Sequence, residues 1–160
     1  MSTYEILTLI LQLVIAVGGF ISLAFVYLQV KEMIGQIVAT QEASRAQSAL
    51  AIVAFLQSAD VRTARHIVRS VLSQKHHAQW NDEERDHAST VCANYDVAAS
   101  LLRAGLAPTD LIAANWGPSI VHCHQVLSPY ISDLRSKPGG NQSYWKNFDW
   151  LRSQVRHGDH

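Results

Sequence analysis

Excess charge of either sign is missing from this 160-residue chain: Lys and Arg number 13, Asp and Glu number 13, and the formal net charge is zero. No global field draws such a chain to nucleic acid, so that class of partner is excluded at the outset. Cysteine is nearly absent too. Cys92 and Cys123 are too few for a disulfide framework, which fits free thiols in a reducing compartment. No Cys-x-x-Cys, His-Glu-x-x-His, Gly-x-Ser-x-Gly or phosphate-cradling glycine loop occurs. The sequence therefore names no reaction and no cofactor, and an enzyme is the minority expectation. Met1 to Glu5 holds no Lys or Arg, so the basic start of a secretory signal is lacking as well.

One feature dominates what is present. Ile6 to Val26 is an apolar run of 21 residues without a formal charge, enough helix to cross the hydrocarbon core of a bilayer. Ser22-Leu23-Ala24 resembles a small-x-small cleavage site, but apolar residues continue through Phe25, Val26, Tyr27 and Leu28, which argues for retention as an anchor. Lys31 and Arg45 follow the run and no base precedes it, so the expected orientation is N-terminus outside and C-terminal domain cytoplasmic. Tyr4 and Tyr27 stand near opposite ends, where amphipathic rings favour the interface. Within the run, Gly18, Gly19 and Ser22 are small and Gln12 is an amide. They form a candidate packing face for another membrane helix, whether a partner's or a second copy's.

Between residues 27 and 79 no Pro and a single Gly, Gly35, interrupts the chain, so the membrane helix is expected to run on as a linker helix. The expected organisation is an anchor with its flanks over 1–30, a linker helix over 31–57 and a helical domain over 58–160. Val30, Ile34, Ile37, Val38 and Gln41 recur at intervals of three and four, giving an apolar stripe that packs either on the protein's own domain or on the same helix of another copy.

A helix is expected from about Val61 to Lys75, with Val61, Ala64, Val68, Val71 and Leu72 on its apolar face and Arg62, Arg65 and Arg69 as a basic stripe. The stripe suits anionic lipid headgroups or a phosphate-bearing ligand, or else is a solvated face paired with Asp82, Glu83, Glu84 and Asp86. Asn81-Asp82-Glu83-Glu84 starts the next helix: Asn81 can cap, and three carboxylates complement the macrodipole. Arg103-Ala104-Gly105 stops it. A short helix from Pro108 to Trp116 is expected, then a longer one from about Pro118 to Arg135, which Pro129 interrupts with a kink or break near Ser128. Lys137-Pro138-Gly139-Gly140-Asn141 is a loop, and Gln142 to Arg156 is a last helix whose aromatics dock on the core.

Imidazole and thiolate are transition-metal ligands, so His122, Cys123 and His124 are candidate ligands of a metal-dependent enzyme. On a helix, however, His122 and His124 point about 200° apart and cannot share one ion unaided. The remaining histidines are scattered, with His157 and His160 near the C-terminal tail.

Trp116-Gly117-Pro118-Ser119-Ile120, then Ser128-Pro129-Tyr130-Ile131, then Tyr144-Trp145-x-x-Phe148-x-Trp150-Leu151 resembles the C-terminal signature of a family of uncharacterised bacterial membrane proteins. Its members are described only as a domain of unknown function. The resemblance implies a bacterial inner-membrane protein with one N-terminal span and a small helical cytoplasmic domain, and it implies no catalytic residue. An aromatic residue often lies between the two halves of that signature, where this chain has His122 to His124. The sequence thus leads to an all-α, single-pass membrane protein acting by protein–protein interaction as an accessory or scaffold subunit or a homo-oligomer. A ligand-responsive effector built on the arginine stripe is the alternative.

Overall fold

The computed structural model describes residues 3–157, leaving aside the side chains of Glu5, Arg156 and His157; His160 lies outside the described residues. Among the described residues there are five α-helices and no strand. They are α1 (Thr3–Leu56), α2 (Ala59–Ser70), α3 (Asp82–Arg103), α4 (Thr109–Ser136) and α5 (Lys146–His157). The fold is all-α, a long apolar N-terminal helix followed by a small helical domain. By contacts the chain divides into Met1–Ser44 and Arg45–His160.

The first unit is α1 up to Ser44. Glycine would ordinarily weaken a helix interior, yet α1 runs unbroken through Gly18, Gly19 and Gly35 because long-chain and apolar helix formers surround them. Its large apolar residues from Ile6 to Val38 are exposed all round.

In the second unit, α2 packs on α3 and α4, and α5 packs on α3 and α4 in turn. The core draws Ala49, Ile52 and Leu56 from the end of α1. Ala64 and Val68 come from α2, Val91, Tyr95 and Leu102 from α3, Ile120 and Leu127 from α4, and Phe148 and Leu151 from α5. Within each set the positions lie three, four or seven residues apart, so one face of every helix is removed from water.

The helix from Val61 is shorter than its apolar pattern suggests. After Ser70 the chain tightens into a 3-10 turn, Leu72–Gln74, with Leu72 buried and Val71 left exposed. Lys75 is drawn to Glu84 at 2.6 Å, and Glu84 belongs to the next helix start, so the connection cannot continue along the α2 axis. That start is a full capping box: the Glu84 N–H donates to Asn81 Oδ1 at 2.8 Å and the Asn81 N–H donates to Glu84 Oε2 at 3.0 Å. At the other end of α3, Gly105 takes a φ of +75° and the Leu106 N–H reaches back to Leu101 O, closing the last carbonyls in a Schellman turn.

The expected break at Trp116-Gly117-Pro118 does not occur. α4 is continuous from Thr109 to Ser136 with Pro118 and Pro129 inside it. Each proline removes one rung of the ladder, but Trp116, Ile120, Cys123, Leu127 and Ile131 are buried along one face, and that burial outweighs two missing hydrogen bonds. The final helix also begins later than Gln142. Residues 142–145 form turns, and Trp145 adopts a left-handed backbone (φ 52°) that an L-residue tolerates only when its surroundings hold it.

Candidate functional site

Sequence reasoning points to three places, and the structure treats each differently. Along α1, Gln12, Gly18, Gly19 and Ser22 are exposed, and a methyl group added at Gly18 or Gly19 would meet nothing within 4 Å. The Ser22 hydroxyl donates to the Gly18 carbonyl at 2.9 Å, so its polar group is satisfied inside its own helix. The helix Ile6–Leu56 contains an 18-residue window of mean hydropathy 2.5, none of it buried. It is long and apolar enough to cross a membrane.

The arginine stripe is not uniformly solvated. Arg62 and Arg69 are exposed, whereas Arg65 is only 8% exposed. Arg65 lies four residues after Val61 and three before Val68, both buried, so its spacing places it on the helix face that packs inward. Its Nη1 is buried without a hydrogen-bond partner. Among the described residues none of the three arginines forms an ion pair; the acidic cluster that opens α3 engages Lys75, Arg85 and His87 instead.

Around Arg65 the core is polar but carries no carboxylate partner for it. The Tyr95 hydroxyl donates to Ser119 Oγ at 3.0 Å, and Ser119 Oγ lies 4.0 Å from Cys123 Sγ. Burial pushes the Tyr95 phenol up, with the neighbouring Cys123 adding to the shift and the Ser119 hydrogen bond and Arg65 opposing it. Burial likewise raises the Cys123 thiol to about 11, against the pull of the Ser119 hydrogen bond and of Arg69 and Arg65. Cys92 is raised well above the ordinary thiol value, chiefly by burial. Both cysteines are thus protonated, free thiols at neutral pH.

His122, Cys123 and His124 are separated by the geometry of α4. His122 faces solvent beside a groove of about 640 Å³ that Asp110, Gly117, Pro118 and Gln125 also line. Cys123 faces the core. His124 turns to α5, where Nε2 lies 2.8 Å from Asp149 Oδ1 and the ring meets Phe148 edge-on. Among the described residues no three His, Cys, Asp or Glu side chains are grouped to hold a metal ion.

Two polar links escaped sequence reasoning. Asp149 also accepts from Arg135 at 2.7 Å, and Arg135 in turn holds the Tyr144 carbonyl next to the left-handed Trp145. Asp96 Oδ1 accepts the backbone N–H groups of Asn147 and Phe148 at 2.8 and 3.1 Å, so a carboxylate of α3 caps α5. The sequence shows only that α5 lacks a Ser, Thr or Asp immediately before Lys146. That gap is the one signal that a distant acceptor serves the helix start.

No curated protein and no solved structure matches this chain significantly. The model of one protein family, described as a domain of unknown function (DUF4760), matches residues 7–155. That match takes in α1 and the helical domain together, in keeping with the long N-terminal helix followed by a small helical domain. The chain belongs to the DUF4760 family.

Proposed function

We propose that this chain is a single-pass bacterial inner-membrane protein that acts by binding rather than by catalysis. In this reading, residues 6–26 cross the bilayer with the N-terminus outside, and the helical domain lies in the cytoplasm as an accessory or scaffold subunit or as part of a homo-oligomer. Membrane lipid is one partner; a second membrane helix, from another protein or another copy, is the other, meeting the face that carries Gln12, Gly18, Gly19 and Ser22. The observation that carries the reading is the unburied apolar window of α1. A core helix of a soluble protein hides such a surface inside its own fold, whereas here every large apolar residue from Ile6 to Val30 is exposed. Hydrocarbon is the medium in which that surface costs nothing.

Fractionation of cells expressing the full chain tests this. The intact polypeptide is expected in the membrane pellet, resistant to alkaline carbonate and released by mild detergent, with protease reaching its domain only from the cytoplasmic side. Recovery from the aqueous fraction with its N-terminus intact would overturn the anchor. A monodisperse monomer, purified from native membranes without any companion, would overturn the scaffold and oligomer reading.

A further inference from the structure

Arg65 is an anomaly of charge. Guanidinium groups do not give up their proton, and a buried one is found with a carboxylate or a comparable acceptor because desolvation costs several kcal/mol otherwise. Here it is more than nine-tenths buried, its Nη1 meets no acceptor, and the group beside it, the Tyr95 hydroxyl, is neutral. Arg62 and Arg69 flank it one turn to either side and, among the described residues, form no ion pair. Three arginines over about 10 Å of helix with no acid between them make a local positive field that the fold itself does not neutralise. Because α2 packs on α3 and α4, Arg65 lies at the inner edge of this stripe while Arg62 and Arg69 stand at its solvent-exposed edge.

We infer that the α2 face carrying Arg62, Arg65 and Arg69 binds a phosphate group, with buried Arg65 as its fixed anchor and the two exposed arginines as arms that close on the oxyanion. Planar guanidinium donors match phosphate oxygens two at a time, and a head already immobilised by Tyr95 and its surroundings loses little freedom on binding. The phosphate is either a free anion or a lipid headgroup. This site goes beyond the anchoring reading, because a free anion would bind even if α1 did not span a membrane.

The test uses the full chain reconstituted in nanodiscs of neutral phosphatidylcholine and, separately, of phosphatidylglycerol. In neutral discs, inorganic phosphate or pyrophosphate is expected to raise Tm beyond what chloride does at matched ionic strength. The Arg62→Gln/Arg69→Gln double variant, exposed at both positions, is expected to keep its Tm in phosphate-free buffer and to bind phosphate about tenfold more weakly. A rise of that kind in neutral discs assigns a free anion. An arginine-dependent rise in phosphatidylglycerol discs without added phosphate assigns a headgroup. Tm values that follow ionic strength alone in both discs, equally for wild type and the double variant, overturn the site. Arg65→Gln, where it folds, is expected to lose the phosphate response entirely; a retained response would remove Arg65 as the anchor.

Discussion

Asp96 Oδ1 on α3 accepts the backbone N–H of Asn147 at 2.8 Å and so fixes the first turn of α5, 51 residues further along the chain. It also takes the Phe148 N–H at 3.1 Å and, through Oδ2, the Asn147 side-chain amide at 3.2 Å. Three donors on one half-buried carboxylate, at the positive end of a helix, make this contact the main tie between α3 and α5 apart from apolar packing. Asp96→Ala is expected to destabilise the domain by about 2 to 3 kcal/mol, because two backbone donors lose their acceptor. Asp96→Asn, which keeps one oxygen, is expected to cost less. Urea unfolding followed by tryptophan fluorescence measures both.

Glu84 gives stability a pH dependence. The hydrogen bond from Lys75, then the Asn81 N–H, hold its carboxyl below the ordinary value. A carboxyl whose folded pKa lies below its unfolded one stabilises the fold at neutral pH and loses that contribution as pH falls through the carboxylate range. Glu84→Gln is therefore expected to lower Tm at pH 7, and the difference from wild type is expected to shrink below about pH 4. A difference independent of pH would mean that the capping amide and not the charge is what matters.

Replacement of Arg65 by methionine removes an uncompensated buried charge while keeping an unbranched apolar stem. Arg65→Met is expected to raise stability by about 1 to 3 kcal/mol. Chemical denaturation of the full chain in detergent checks the sign, and a loss of similar size would show that the guanidinium is better satisfied than its empty Nη1 indicates.

Cys123 is expected to be inert in the folded protein. With its thiol raised to about 11, the thiolate fraction at pH 8 is on the order of one in a thousand. Thiol reagents should label neither Cys92 nor Cys123 until denaturant is added, after which both should react. Labelling at native rates equal to those in denaturant would place these thiols at the surface.

Truncation of Phe148 removes the side chain that stacks on Tyr95 at 5.0 Å and meets His124 at 5.1 Å. Phe148→Ala is expected to cost about 3 to 5 kcal/mol and to release α5, which an increased helix-exchange rate over residues 146–157 would report.

Local signals were readable wherever the deciding partner stood within a turn or two. The apolar run at Ile6, the capping residues Asn81 and Glu84, and the glycine stop at Gly105 all act within four or five residues of themselves. The all-helical class followed from them. Residue type alone groups Arg65 with the solvated arginines, whereas its spacing to Val61 and Val68 puts it on the inner face. Local chemistry disfavours proline inside a helix and so makes Pro118 read as a boundary, whereas burial along the length of α4 overrides that preference. Asp96, Arg135 and His124 act on α5, tens of residues away, and no spacing rule reaches that distance.

The prolines of α4 leave the carbonyls of Ala114 and Gln125 without their ladder donors. Both residues border the groove next to His122. The long helix thereby lacks two rungs of its ladder about 16 Å apart, and the piece between them carries Ser119 and Cys123. Ala114 and Gln125 are both exposed, so water can take the place of the missing donors, and α4 keeps its two prolines without leaving a buried carbonyl unpaired.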